Sequence, residues 1–195
     1  MPQFTQTSSK EPLLQVATEL FIRNGFGPTG LDQIIDAVGV TKTTFYKHFE
    51  SKDDLIVAVL RRQHEIEMRG IAADTEAIAG GNPKERILAI FDVLDAWFSE
   101  PNFRGCIFLN AVTEFPMKTD PIHIAAIKHG EQLGLFVRDN AIAAGADRES
   151  ATLAAEQILM LIRGAVFSRQ TANMIDAAKC AKPMVKILLE SMLKT

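Results

Sequence analysis

Lys42, Thr43, Thr44, Tyr46, Lys47, His48 and Lys52 crowd into one short run, interleaved with Phe45 and Phe49. On a helix the two phenylalanines stand four apart and share one face. Lys42, Thr43, Lys47 and His48 then occupy the other. Ammonium groups and hydroxyls presented side by side suit phosphate oxygens and base edges. Thr41 can cap the helix, because its hydroxyl can accept an orphan backbone N–H of the first turn. Ser51, with Asp54 three positions on, offers a second cap that resembles a capping box with Asp in place of Glu. So short a helix is not stable alone. It must be held by its apolar face while offering its basic face outward, which is the build of a DNA-recognition helix.

The elements that must position this run lie just before it. From Lys10 to Asn24 apolar residues recur at helical spacing, at Leu13, Leu14, Ala17, Leu20 and Phe21. Asn24 and Gly25 end that helix, since glycine accepts the left-handed conformation that stops one. Pro28 and Thr29 open a second helix, with Thr29 as its expected N-cap and Leu31, Ile34, Ile35 and Val38 as its apolar face. Gly39 turns the chain into the recognition helix. Helix, helix, glycine turn, helix is a helix-turn-helix arrangement.

The run Gly39-Val40, Tyr46-x-x-Phe49 and Ser51-Lys52-x-x-Leu55, following Leu20-Phe21 and Gly25, closely resembles the N-terminal DNA-binding domain of the TetR family of transcriptional repressors. The resemblance covers about residues 10 to 62. It implies phosphate contacts from Thr29, Tyr46 and Lys52, and base reading by exposed residues at the start of the recognition helix. The expected DNA-binding set is Thr29, Lys42, Thr43, Thr44, Tyr46, Lys47, His48 and Lys52. One position departs from the helix-turn-helix pattern. Ile35 stands where alanine is usual, so either the helix crossing widens or Ile35 turns into the core. Residues 1–60 hold five Lys and Arg against seven Asp and Glu, an acidic balance that predicts modest non-specific affinity for DNA.

The whole chain has 195 residues, a formal net charge of −3 and 47% hydrophobic residues, a globular composition with no global basic signal. Its start is polar, without the apolar core of a signal peptide. No apolar run approaches the roughly 20 residues that span a bilayer, so the cytoplasm is the expected compartment and no membrane partner is expected. Cys106 and Cys180 form neither a disulfide framework nor a zinc pattern, and the four histidines are scattered. Neither a metal nor a cofactor is expected. There is no nucleophile elbow, phosphate-binding glycine loop or HExxH motif; the chain is not expected to be an enzyme.

Strand signals are nearly absent and helical segments follow in series, so the fold class is all-α. A helix-turn-helix DNA-binding domain at 1–52 precedes a helical ligand-binding and dimerisation domain at 53–195. Helices are expected over Ser51–Arg69, Lys84–Ser99, Phe103–Phe115, Pro121–Ala144, from the Asp147 cap to Arg169, and from the Asp176 cap to about Leu193, where Pro183 should kink the helix or delay its start. The last two carry wide apolar stripes. Ala155, Ile158, Ile162, Met184, Ile187 and Leu188 are expected to form a homodimer interface, because two recognition helices on a twofold axis read two half-sites of a double-stranded operator. The family resemblance implies the same dimer, and also a cavity for a small-molecule inducer. Trp97, Phe98, Phe108, Asn110, Phe136, Gln157 and Met160 are the candidate lining, with Glu114, His129 and Arg163 as further polar candidates. Such a protein would repress transcription until ligand releases it. An alternative is sensing of electrophiles or oxidants through Cys106, where Arg104 and a nearby helix start would favour the thiolate.

Overall fold

The computed structural model describes residues 10–192. Among the described residues there are nine helices and no strand: α1 Lys10–Asn24, α2 Leu31–Val38, α3 Lys42–Tyr46, α4 Lys52–Ala79, α5 Pro83–Phe98, α6 Ile107–Glu114, α7 Pro121–Ala143, α8 Arg148–Ala172 and α9 Ala177–Met192. The expected all-helical class, with an N-terminal helix-turn-helix followed by a helical domain, is what the chain adopts. The expected end of α9 near Leu193 lies outside the described residues.

Local chemistry sets most boundaries. Gly25, at φ +88°, closes α1, and its N–H donates to the Phe21 carbonyl. Gly39, at φ +76°, ends α2 in the left-handed region that favours glycine. Thr41 caps α3 as its type suggests, its hydroxyl accepting the Thr44 N–H at 3.1 Å. Ser51 accepts the Asp54 N–H at 3.1 Å, and the Asp54 carboxylate accepts the Glu50 N–H at 3.2 Å. The return bond thus falls one residue earlier than in a standard capping box. Asp147 caps α8 by accepting the Glu149 and Ser150 N–H groups, both at 2.9 Å.

Four expectations are corrected. Thr29 does not cap α2; Gly30 holds that position with no side-chain bond. Helix α4 continues past Arg69 to Ala79, since Gly70 does not take the positive φ that ends a helix and the first glycine that does is Gly80, at φ +57°. Helix α6 starts at Ile107 rather than Phe103, because Gly105 takes φ +88°, which a helix cannot contain. Helix α9 starts at Ala177 and contains Pro183, so its start is not delayed past the proline. Its neighbours hold it there: Val185 and Leu189 are buried, Lys182 grips both Asp92 oxygens at 2.6 and 2.7 Å, and Lys179 pairs with Asp95 at 3.2 Å.

The chain groups into two compact units, one of residues up to His64 with Ile107–Ile127, the other Glu65–Cys106 with Lys128–Thr195. The first is built on Leu13, Ala17, Phe21, Phe26, Ile34, Phe45, Leu55, Ile56 and Leu60, all buried. Each such phenylalanine contributes roughly 1.5–3 kcal/mol by leaving water, which is what holds the five-residue α3 in place. Ile35 is only 4% exposed, so it turns into this core. The second unit buries Ile87, Phe91, Leu133, Val137, Ile158, Ile162, Val185 and Leu189 in one cluster. By length and mean hydropathy α8 alone among the described helices is apolar enough to cross a membrane, but charges interrupt it at Glu156, Arg163 and Arg169 and 44% of its apolar window is buried within the protein.

Candidate nucleic-acid interface

Helix α3 anchors itself by Phe45 and Phe49, whose rings lie 5.6 Å apart, and the remainder of the helix faces outward. Tyr46 is 56% exposed and sets its ring edge-on against Phe45, so the phenol stands on a rigid apolar support. Lys42, Thr43 and Lys47 are exposed; Thr44 and His48 are half-buried. The Thr44 hydroxyl lies 3.0 Å from that of Thr41, which ties it to the cap. Lys42 pairs with Asp32 of α2 at 2.8 Å across the turn. The hydrogen bond that Lys42 donates to Asp32, and then the Asp32 charge, raise the Lys42 pKa above the ordinary lysine value. Lys42 is therefore a firm cation, and its exposed pairing is weak enough for a phosphate or base edge to replace it. Lys52, half-buried at the start of α4, donates to the Gly27 carbonyl at 3.3 Å.

Seven of the eight expected DNA residues thus lie on α3, just beyond it, or at the start of α4. Thr29 is the exception. Its side chain is fully buried, and its hydroxyl donates to the Gly25 carbonyl at 2.7 Å. In this conformation it holds the α1–α2 loop and has no face to offer a phosphate.

Residues 13–59 match the model of the bacterial regulatory proteins of the tetR family. The activator FasR of Mycolicibacterium smegmatis is 33% identical over 85 residues, 43% of this chain and 39% of that one. The regulator LmrA of Bacillus subtilis is 26% identical over 184 residues, 91% of this chain and 97% of its own. A TetR-family transcriptional regulator from Streptomyces coelicolor superimposes with a TM-score of 0.83 at 29% identity, over 97% of this chain and 98% of that one. The chain is thus similar to TetR-family regulators, by the family model over residues 13–59 and by sequence and fold over nearly its whole length. Its N-terminal helices lie in the segment that matches the tetR-family model.

The candidate ligand residues divide between the two compact units. Phe108 and Asn110 fall in the first unit, and the others in the second. Trp97 and Phe98 meet each other and Phe103, with centroids 4.8 to 5.7 Å apart, and Arg169 lies 4.4 Å over the Phe103 ring while donating to the Phe98 carbonyl. Phe136 packs instead against the core cluster beneath Arg86, and Gln157 is half-buried on α8. Met160 is 62% exposed, so it lines no interior site. Of the polar candidates, Glu114 is committed elsewhere, accepting the Phe26 and Gly27 N–H groups.

The expected dimer residues also divide. Ala155, Ile158 and Ile162 are buried in the core of their own chain, which removes them from any surface that could meet a partner. Met184 and Ile187 are exposed and Leu188 is half-buried. Helix α8 has a second apolar stripe that the sequence reading passed over: Leu153, Met160 and Phe167, each more than half exposed. Their spacing of seven residues was the available signal, since every second turn returns to the same face.

Proposed function

We propose that the chain is a sequence-specific repressor that binds a double-stranded operator as a homodimer and is released by a small-molecule inducer. The observation that carries the reading is the α3 face. Lys42, Thr43, Tyr46 and Lys47 are exposed on a helix fixed by buried phenylalanines, within the segment that matches the TetR family. Lys42, Thr43 and Lys47 would reach base edges, while Thr44, Tyr46, His48 and Lys52 would hold phosphates. An operator as partner puts the site of action in the cytoplasm. The functional division at 52/53, with DNA reading before it and regulation after it, belongs to the same proposal.

The dimer would form through the exposed stripes: Leu153, Met160 and Phe167 on α8 with Met184 and Ile187 on α9. Two copies would thereby align two recognition helices with two half-sites. Release would be a population shift. Inducer must bind better to a conformation whose recognition helices no longer match the half-site spacing. Helix α4 supplies residues to both compact units and is the natural lever. The aromatic group of Trp97, Phe98 and Phe103 is the candidate contact for an apolar inducer. A gel shift with DNA upstream of the chain's own gene tests binding, and a reporter fused to that DNA tests its sign. No shift would end the reading; a shift with higher reporter output would make the protein an activator, as FasR is named.

A second reading keeps the DNA binding and replaces the inducer with an electrophile or oxidant acting on Cys106. It is favoured by one feature: Cys106 stands directly before α6, where helix N–H groups favour a thiolate. Native Cys106 should then react with a thiol reagent faster than in the unfolded chain. A slower reaction would remove this reading.

A further inference from the structure

Glu114, the last residue of α6, reaches back to the loop between α1 and α2. One carboxylate oxygen accepts the Phe26 N–H at 3.0 Å and the other accepts the Gly27 N–H at 2.7 Å. Bonds of this kind, with an ionised acceptor, are the stronger class. The same attachment has an apolar half. Phe115, next to Glu114, sets its ring edge-on to Phe26 at 5.9 Å, and Phe26 is fully buried against Phe21. Gly25 also fits this contact: a Cβ there would lie 3.1 Å from the Glu114 carboxylate, on a backbone already at φ +88°.

Gly27 is held on both sides. Its N–H goes to Glu114, and its carbonyl receives the Lys52 ammonium at 3.3 Å. Pro28 follows it and restricts the conformations open to Gly27, so the orientation of that carbonyl depends on how its N–H is held. Lys52 is a long, flexible cation whose head would otherwise sample many positions. We infer that Glu114 is a positioning residue for DNA binding: through Gly27 it fixes the Lys52 ammonium where an operator phosphate can take it up. The inference deepens the proposed function and rests on its assignment of Lys52.

The test is a double-mutant cycle on Glu114 and Lys52, read by fluorescence anisotropy on an operator duplex and a random duplex over a range of salt. Glu114→Gln replaces one acceptor oxygen with a donor facing a backbone N–H. It should weaken both duplexes alike, by about three- to tenfold, and flatten the salt slope by about one unit, as Lys52→Ala should. The double variant should bind no worse than Lys52→Ala alone, since residues acting through one contact are not additive. Amide exchange at Phe26 and Gly27 should quicken in Glu114→Gln. Glu114→Asp keeps the charge and loses reach, so it should fall with Gln. Thr113→Ala, which removes only a hydroxyl bonded within α6, should match wild type.

Multiplying losses in the double variant, an unchanged salt slope in Glu114→Gln, or wild-type binding by Glu114→Asp would each overturn the positioning role. A wild-type chain that binds neither duplex would bring down the DNA-binding reading itself, and this inference with it.

Discussion

Helices α3 and α8 present their functions in opposite ways. In α3 only Phe45 is buried; Lys42, Thr43 and Tyr46 are exposed and each carries a polar group. In α8 both faces are apolar. Ala151, Ile158 and Ile162 enter the core of their own chain, while Leu153, Met160 and Phe167 stay outside. A functional face is therefore readable from residue type where core and surface differ in chemistry, and unreadable where they do not. On α8 the difference is angular position, which only the packed structure supplies.

The sharpest way to break that comparison is to put one charge on each face of α8. Ile158→Glu buries an unpaired carboxylate, at a cost of several kcal/mol. That is a large part of a typical stability of about 5–15 kcal/mol, so this variant should unfold, with loss of the helical circular dichroism signal. Met160→Glu should stay folded, sediment as a monomer and lose operator affinity. A folded Ile158→Glu, or a stable Met160→Glu dimer, would reverse the assignment of the two faces.

The α1–α2 loop sharpens the contrast from the other side, because there a residue of the right type for DNA has its side chain buried. Thr29→Val keeps the shape and removes the donor to the Gly25 carbonyl. Leaving that group unsatisfied costs about 1–3 kcal/mol. The expected result is a lower urea midpoint with an unchanged salt slope for DNA binding. A flattened slope at unchanged stability would return Thr29 to the phosphate contacts.

Within the α3 region itself, Lys47→Ala should alter preference among operators, while Lys52→Ala should weaken all sequences alike and flatten the salt slope by about one unit. Wild-type behaviour from both on operator and random duplexes would mean that this face does not read DNA.

These cases show what was legible in the sequence and why. The caps at Thr41 and Asp147 and the turn at Gly39 followed from local hydrogen-bonding chemistry, and the structure has all three. Thr29 failed because its hydroxyl suits a cap, a phosphate or a buried carbonyl equally well, and only the loop conformation selects the last. Helix α9 passes Pro183 because tertiary pairs on α5 outweigh a local break. Glu114 carried no local signal for its role, since its partners lie 87 and 88 residues away.

The smallest expected effect belongs to the α8 cap. The Ser150 hydroxyl donates to Asp147 at 2.6 Å, and the Ser150 and Glu149 N–H groups add to it. The Ser150 side chain first, and these backbone bonds after it, hold the Asp147 carboxyl below the usual carboxylate range. A carboxyl whose pKa is lower folded than unfolded adds stability above its unfolded value, near 3.9. That addition is lost as pH falls through the folded value. Asp147→Ala should therefore melt a few degrees below wild type at pH 7, where loss of an N-cap frees first-turn N–H groups, and the charge-dependent part of the gap should shrink below about pH 4. Asp147→Asn keeps a capping oxygen without the charge. It should recover much of the melting temperature at pH 7 and converge on wild type in acid. Scanning calorimetry at pH 7, 5 and 3 reads all three proteins; a gap between wild type and Asp147→Asn that stays constant to pH 3 would show that the ionised carboxylate contributes nothing at this helix end.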